Sequence, residues 1–208
     1  MDTCKVYVID DAKEVRDAIA LLMESVGLDV ELFESADAFL DCDYEKLEGC
    51  ILLDVRMPGM SGLQLQKKLN AIPCAPPVIM ISGHGDIPMA VKAVQAGAVN
   101  FVEKPFNEQE LLDSVHRAFK LDSIQRGKSM KIEAIREKIE SLTAREKQVL
   151  EAITGGKRNK VIAVEMNIAQ STVEAHRAHV MEKMAATSLS DLMRMVIYAE
   201  ISNQSTVK

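Results

Sequence analysis

Three aspartates, a serine and a lysine in the first half of the chain can do chemistry together: Asp10, Asp11, Asp54, Ser82 and Lys104. Each ends or follows a short apolar run, so all five would arrive at one rim of a sheet. Two ionised carboxylates about 5 Å apart at an effective dielectric near 20 repel by roughly 3 kcal/mol, and three in a dry corner call for a cation. Mg²⁺ suits that need, because it takes one or two carboxylates and keeps positions open for water and phosphate oxygens; Mn²⁺ is the substitute. Asp54, at the end of a central run, is then the carboxylate placed to attack phosphorus and become an aspartyl phosphate. The metal, the Lys104 ammonium and the Ser82 hydroxyl would balance the transferring oxygens. Singly, each residue has a duller reading: Asp11 caps the first helix, Lys104 is solvated, Ser82 is a turn residue. Their joint placement favours a phosphoacceptor site.

Positioning these groups takes strands. Lys5 to Ile9, Val30 to Phe33, Cys50 to Leu53, Val78 to Ile81 and Val99 to Val102 are short β-rich runs, and stretches of helical period separate them. That alternation predicts an α/β doubly wound, five-stranded parallel sheet with both faces covered, its chemistry at the carboxyl edge. Ser61, Asp86 with Pro88, and Asn107 followed by Glu110 mark the starts of the third, fourth and fifth helices.

From Leu121 to Glu140 the sequence turns polar and helical, with Ile132, Ile135, Ile139 and Leu142 in one narrow stripe. A stripe this short reads as a linker helix lying on its own domain in preference to a coiled coil between two chains. The last sixty or so residues hold no strand-like run and read as a small all-α domain of four helices. Thr143 with Glu146 and Ser171 with Glu174 both match the S/T-x-x-E capping box. A short helix from Arg158 to Met166 breaks at Asn167 to Gln170, which is helix-turn-helix spacing over about 159–178.

Composition agrees. A chain of 208 residues, 48% hydrophobic and 27% charged, is long enough for two small cores and too apolar for disorder. Asp2 and Lys5 precede any apolar run, and no apolar stretch approaches the 18 or so residues of a membrane span, so neither secretion nor insertion is indicated. Cys4, Cys42, Cys50 and Cys74 fit no metal or disulfide spacing and read as reduced thiols in a cytoplasm. Residues 1–120 carry 11 Lys or Arg against 20 Asp or Glu, net −9, while residues 121–208 carry 14 against 11, net +3. The two halves want different partners.

The runs Val6 to Asp11, Leu52-Leu53-Asp54-Val55-Arg56-Met57-Pro58-Gly59-Met60-Ser61-Gly62, Ile81-Ser82-Gly83-His84-Gly85-Asp86 and Glu103-Lys104-Pro105-Phe106 resemble the receiver domain of bacterial two-component response regulators. The likeness covers residues 3–120. It implies a flavodoxin-like strand order 2-1-3-4-5, phosphorylation of Asp54 by a sensor histidine kinase, and Mg²⁺ held by Asp10, Asp11, Asp54 and the carbonyl of Arg56. It also implies a cis bond before Pro105, and a switch in which Ser82 moves toward the phosphoryl group while Phe101 turns inward. Read alone, Phe101 is a core residue.

Residues 141–203 resemble the LuxR-type helix-turn-helix domain through Leu142-Thr143-Ala144-Arg145-Glu146, Asn159-Lys160, Ile162-Ala163, Ser171 to Arg177 and Lys183-Met184, which makes the whole chain similar to the FixJ-like group, with 121–140 as linker. The resemblance puts the helix from Ser171 in the major groove of double-stranded DNA, with Glu174, Ala175, Arg177 and Ala178 outward and Val173, Val180 and Met184 inward. Arg145, Lys157, Arg158, Lys160, Arg177 and Lys183 can meet phosphates or guanine edges, and Ser171 and Thr172 can bind phosphate. Glu174 suits a cytosine contact and a capping box equally. His176 and His179 lack the partners of a metal site. Tyr198 is the one aromatic after Phe119, which disfavours single-strand or RNA recognition by stacking. A domain with net charge near +1 would bind one half-site weakly, so a homodimer on phosphorylation, paired half-sites and RNA polymerase as a further partner complete the expectation. The rivals are an aspartyl-phosphatase enzyme, disfavoured because Arg56 stands where a second acid is wanted, and a scaffold whose C-terminal helices hold protein.

Overall fold

The structure is a computed structural model describing residues 4–42, 44, 47–83 and 87–205, with side chains described to residue 200. It divides into two compact units, Met1–Arg126 and Gly127–Lys208.

In the first unit β1 (Lys5–Ile9), β2 (Asp29–Phe33), β3 (Gly49–Asp54), β4 (Val78–Ser82) and β5 (Asn100–Glu103) form one parallel sheet in the order β2-β1-β3-β4-β5, the order expected. All six residues of β3 and all five of β4 are buried, because helices cover both faces. Side chains alternate across the sheet. Tyr7, Ile9, Ile51, Leu53, Val78 and Met80 meet Ala36 and Phe39 of α2 (Ala36–Leu40), Leu65 and Leu69 of α3 (Gly62–Leu69) and Ala93 of α4 (Ile87–Gln95). Val6, Val8, Cys50, Leu52, Ile79 and Val102 meet Ile19 and Met23 of α1 (Lys13–Ser25) and Leu111, Val115 and Ala118 of α5 (Glu108–Glu140) on the other face. None of the four cysteines is in a disulfide, and burial pushes the Cys50 thiol far above the ordinary thiol range.

Ser61 and Gln64 close a capping box at α3, and Asn107 Oδ1 accepts from the Glu110 amide at 3.1 Å at the start of α5. The expected cap Asp86 lies outside the described residues, as do His84 and Gly85. The expected fifth helix and linker helix are one helix of 33 residues. No proline follows Pro105, and one glycine, Gly127, costs a helix only about 1 kcal/mol. Near the unit boundary, Asp122 is buried and its Oδ2 accepts from the Gly49 amide at 3.1 Å and from Arg126 Nε at 2.8 Å. Arg126 Nη2 also donates to the carbonyls of Leu47 and Cys74.

In the second unit α6 (Ala144–Thr154), α7 (Asn159–Met166), α8 (Gln170–Met184) and α9 (Leu189–Ser205) share a core of Val149, Ile153, Ile162, Val173, Val180, Met184 and Leu192. Leu142 belongs to that core and Ile135 and Ile139 pack on it, so the stripe serves its own unit. The Thr143–Glu146 capping box forms. The Ser171–Glu174 box does not: Ala169 is the N-cap, α8 opens at Gln170, and Glu174 accepts from Gln170 Nε2 at 3.0 Å. Asn167 explains this. It takes a left-handed conformation with φ 51°, and Asn167 and Ile168 donate back to the carbonyls of Val164 and Ala163, a Schellman closure. The turn is thereby complete within two further residues, leaving Ser171 inside the first helical turn.

Candidate functional site

Asp54 and Ser82 are the last residues of β3 and β4, while Asp10 and Lys104 follow β1 and β5 by one position. The Lys104 amide donates to the Ser82 carbonyl at 2.8 Å, and the Lys104–Pro105 bond is cis as expected. The lysine turns inward over the sheet edge. Its Nζ lies 2.5 Å from Asp10 Oδ2 and 2.6 Å from Asp54 Oδ1. The other oxygens are held by backbone: Asp10 Oδ1 accepts from the Ala12 amide at 2.9 Å and Asp54 Oδ2 from the Arg56 amide at 2.7 Å. Both carboxylates are buried, at 1% and 5% exposure, so the ammonium is what makes their confinement affordable.

Asp10 and Asp54 share the Lys104 ammonium. Asp11 is exposed, and among the described residues no three acidic, His or Cys groups stand close enough to hold a metal between them. With one ammonium already serving two buried acids, a third carboxylate gains more from water. Arg16, which sequence reading passed over, fixes the turn between them by donating Nη1 to the carbonyls of Asp10 at 2.6 Å and Asp11 at 3.1 Å. Ser82 is buried, and Phe101, paired in register with Met80, is half-buried against the cluster beneath α2, α3 and α4.

Burial raises the Asp54 carboxyl above its usual range, with the Asp10 charge adding to it, against the opposing pull of Lys104. Burial is also the strongest single influence on Lys104 and pulls it down, but hydrogen bonds and charges from Asp10 and Asp54 together leave it raised. The ammonium is therefore firmly protonated. The donors here are all oxygen: two buried carboxylates sharing one positive charge, the exposed Asp11 and the nearby Arg56 backbone. That set fits a hard divalent cation.

In the second unit Arg145, Lys160, Ser171, Thr172, Glu174, Ala175 and Ala178 are exposed. Two candidates differ from expectation. Lys183 donates to Glu146 Oε2 at 2.7 Å, the same carboxylate oxygen that accepts from the Thr143 amide, so its charge is neutralised inside the unit. Arg177 is half-buried with Nη1 donating to Asn159 Oδ1 at 3.0 Å, and is not on the outward face. Val173, Arg177, Val180 and Met184 fall at i, i+4, i+7 and i+11, the inward row, a period the sequence already carried.

Comparison with known proteins identifies the family. Residues 6–116 match the family model "Response regulator receiver domain", and residues 140–196 match "Bacterial regulatory proteins, luxR family". The chain is 46% identical over 190 residues to the response regulator protein TodT of Pseudomonas putida, covering 91% of this chain and 84% of TodT. It is 43% identical over 201 residues to the transcriptional regulatory protein FixJ of Azorhizobium caulinodans, covering 97% and 95%. Among solved structures, the response regulator StyR matches with TM-score 0.81 and 42% identity, covering 93% of this chain and 98% of StyR. The chain belongs to the response regulators that join a receiver domain to a LuxR-type DNA-binding domain, and its role is regulation of transcription. Among the described residues no helix is long and apolar enough to cross a membrane.

Proposed function

We propose that Asp54 accepts a phosphoryl group from a sensor histidine kinase, and that this controls homodimerisation and the binding of paired half-sites in promoter DNA. One observation carries the reading: a single ammonium, Lys104 Nζ, bridges Asp10 and Asp54 at the carboxyl edge of the central strands. An Asp54 oxygen attacks phosphorus, the bond from phosphorus to the kinase imidazole breaks, and the imidazole keeps the electron pair. The Lys104 ammonium, already at Asp54 Oδ1, follows the new charge onto a phosphoryl oxygen, and the Ser82 hydroxyl donates to another. Asp10, Asp11, Asp54 and the Arg56 carbonyl would hold Mg²⁺, or Mn²⁺ in its place, which supplies charge neutralisation of the phosphoryl oxygens. Slow hydrolysis of the acyl phosphate resets the protein. This is self-modification, with no substrate turned over.

A phosphoryl group adds about −1.5 to −2 charges, enough to bias two receiver conformations differing by a few kcal/mol, with Ser82 and Phe101 as the moving parts. Arg145, Lys160, Ser171, Thr172, Glu174, Ala175, Arg177 and Ala178 face DNA in this reading, Lys183 acts as an internal brace, and RNA polymerase is a further partner. The working bounds are 3–120 for the receiver, 121–140 for the linker and 141–203 for the DNA-binding domain. Kinase and promoter together place the protein in the cytoplasm. The test is labelling with acetyl phosphate and magnesium, followed by sedimentation with a beryllofluoride mimic. Label at Asp54 and a dimer only with the mimic are expected; no label, or a monomer fraction unchanged by the mimic, overturns the proposal.

A further inference from the structure

Arg177 stands in a row of buried apolar side chains, half-buried, and its one protein partner is a neutral amide oxygen, Asn159 Oδ1 at 3.0 Å. Three other cations of the same unit are neutralised internally, Lys183 by Glu146 and Lys157 by Glu165, each at 2.7 Å, and Arg194 by Asp191 at 3.0 Å, while cations without an acidic partner among the described residues, such as Arg145 and Lys160, are exposed to water. Among the described residues Arg177 has no acidic partner. A guanidinium taken partly out of water costs free energy unless an anion meets it. Here the fold aims the group with an amide and leaves its charge uncompensated, with further N–H donors in a fixed fork.

Resting on the reading of this unit as a DNA-binding domain, we propose that Arg177 is a phosphate anchor and not a base reader, and that Asn159 is the residue that positions it. Base edges need a side chain projecting from the outward face of α8, as Glu174, Ala175 and Ala178 do; Arg177 lies on the flank of the helix beside the inward row, against α7. An anion arriving at the seam of the two helices is a backbone phosphate, which fixes register without reading sequence. Asn159 suits this role because it orients the guanidinium without neutralising it. An acid at the same place would hold Arg177 more tightly and compete with DNA.

That contrast is the experiment. Full-length protein is titrated with a duplex recovered by selection from a random pool and with a shuffled duplex of the same composition, across a range of salt. Asn159→Asp places a carboxylate on Arg177 and favours the start of α7, so thermal stability holds or rises. Affinity falls about tenfold on both duplexes, and the slope of log K against log salt shrinks by about 0.9, the signature of one lost phosphate. Arg177→Ala reproduces the loss, and Asn159→Asp adds little in that background. The proposal is overturned if Asn159→Asp keeps wild-type affinity and slope. It is equally overturned if Arg177→Ala weakens only the selected duplex, or if Asn159→Asp acts as strongly without Arg177, which is direct repulsion. A wild-type protein that binds neither duplex removes the DNA-binding reading itself.

Discussion

Lys183 Nζ lies 2.7 Å from Glu146 Oε2, so the glutamate of the α6 capping box is also the anion that pins the end of α8. Its carboxyl is held down to about 2, first by the Lys183 hydrogen bond and then by the Thr143 amide. A folded value below the unfolded one, near 4.3, means the stabilisation is present above the unfolded value and is lost as pH falls through the folded one. Denaturant midpoints of the wild type should therefore drop between about pH 4.5 and 2 by more than those of Glu146→Gln. Parallel pH profiles for the two proteins would contradict it.

Gly62 opens α3 directly over the end of β3, the strand that carries Asp54. A Cβ there would lie 2.1 Å from the Asp54 carbonyl oxygen, which is backbone and cannot swing aside. Gly62→Ala should move the end of β3, lowering both the unfolding midpoint and the rate of acetyl phosphate labelling at saturating magnesium. Labelling at the wild-type rate in a folded variant would show that the two backbones part without moving Asp54.

Asp122 is 3% exposed, and among the described residues Arg126 is the one cation paired with it. Arg126→Met strands a buried carboxylate and should cost roughly 3 kcal/mol, measured by urea unfolding. Combining it with Asp122→Leu should recover part of that loss, because no buried charge is then left unpaired. Equal stability of the single and double variants would mean the carboxylate finds water instead.

Lys104→Met removes the ammonium from two buried acids at once. Mg²⁺ affinity measured by calorimetry should rise, since the cation then meets uncompensated charge, while phosphoryl transfer to Asp54 falls by about 10²-fold or more. Unchanged labelling would show that Lys104 only balances charge in the resting state.

The sheet and its reactive edge were legible because doubly covered strands read as unbroken apolar runs, and four of the five runs led into a residue of chemical interest. What escaped was set by tertiary competition. Lys104 bridges the two buried acids while Asp11 stays in solvent, a division that spacing alone does not announce. The motif at Ser171 and Glu174 was present, but the left-handed Asn167 used up the turn before Ser171 could cap anything. Charge alone made Lys183 and Arg177 equivalent candidates; that one faces a carboxylate and the other an amide depends on residues 37 and 18 positions away. Arg16 contributes only bonds to main-chain carbonyls, which leave no mark in a sequence pattern.

Cys50 sits in the middle of the sheet, fully enclosed, with a thiol that burial keeps protonated. Alkylating reagents attack thiolates, so this sulfur reacts only in molecules whose central strand has come undone. The receiver thus carries a built-in recorder of its own breathing. The rate at which iodoacetamide consumes Cys50, timed with and without beryllofluoride, would report how much an occupied acceptor tightens the hub of the domain, with no added probe.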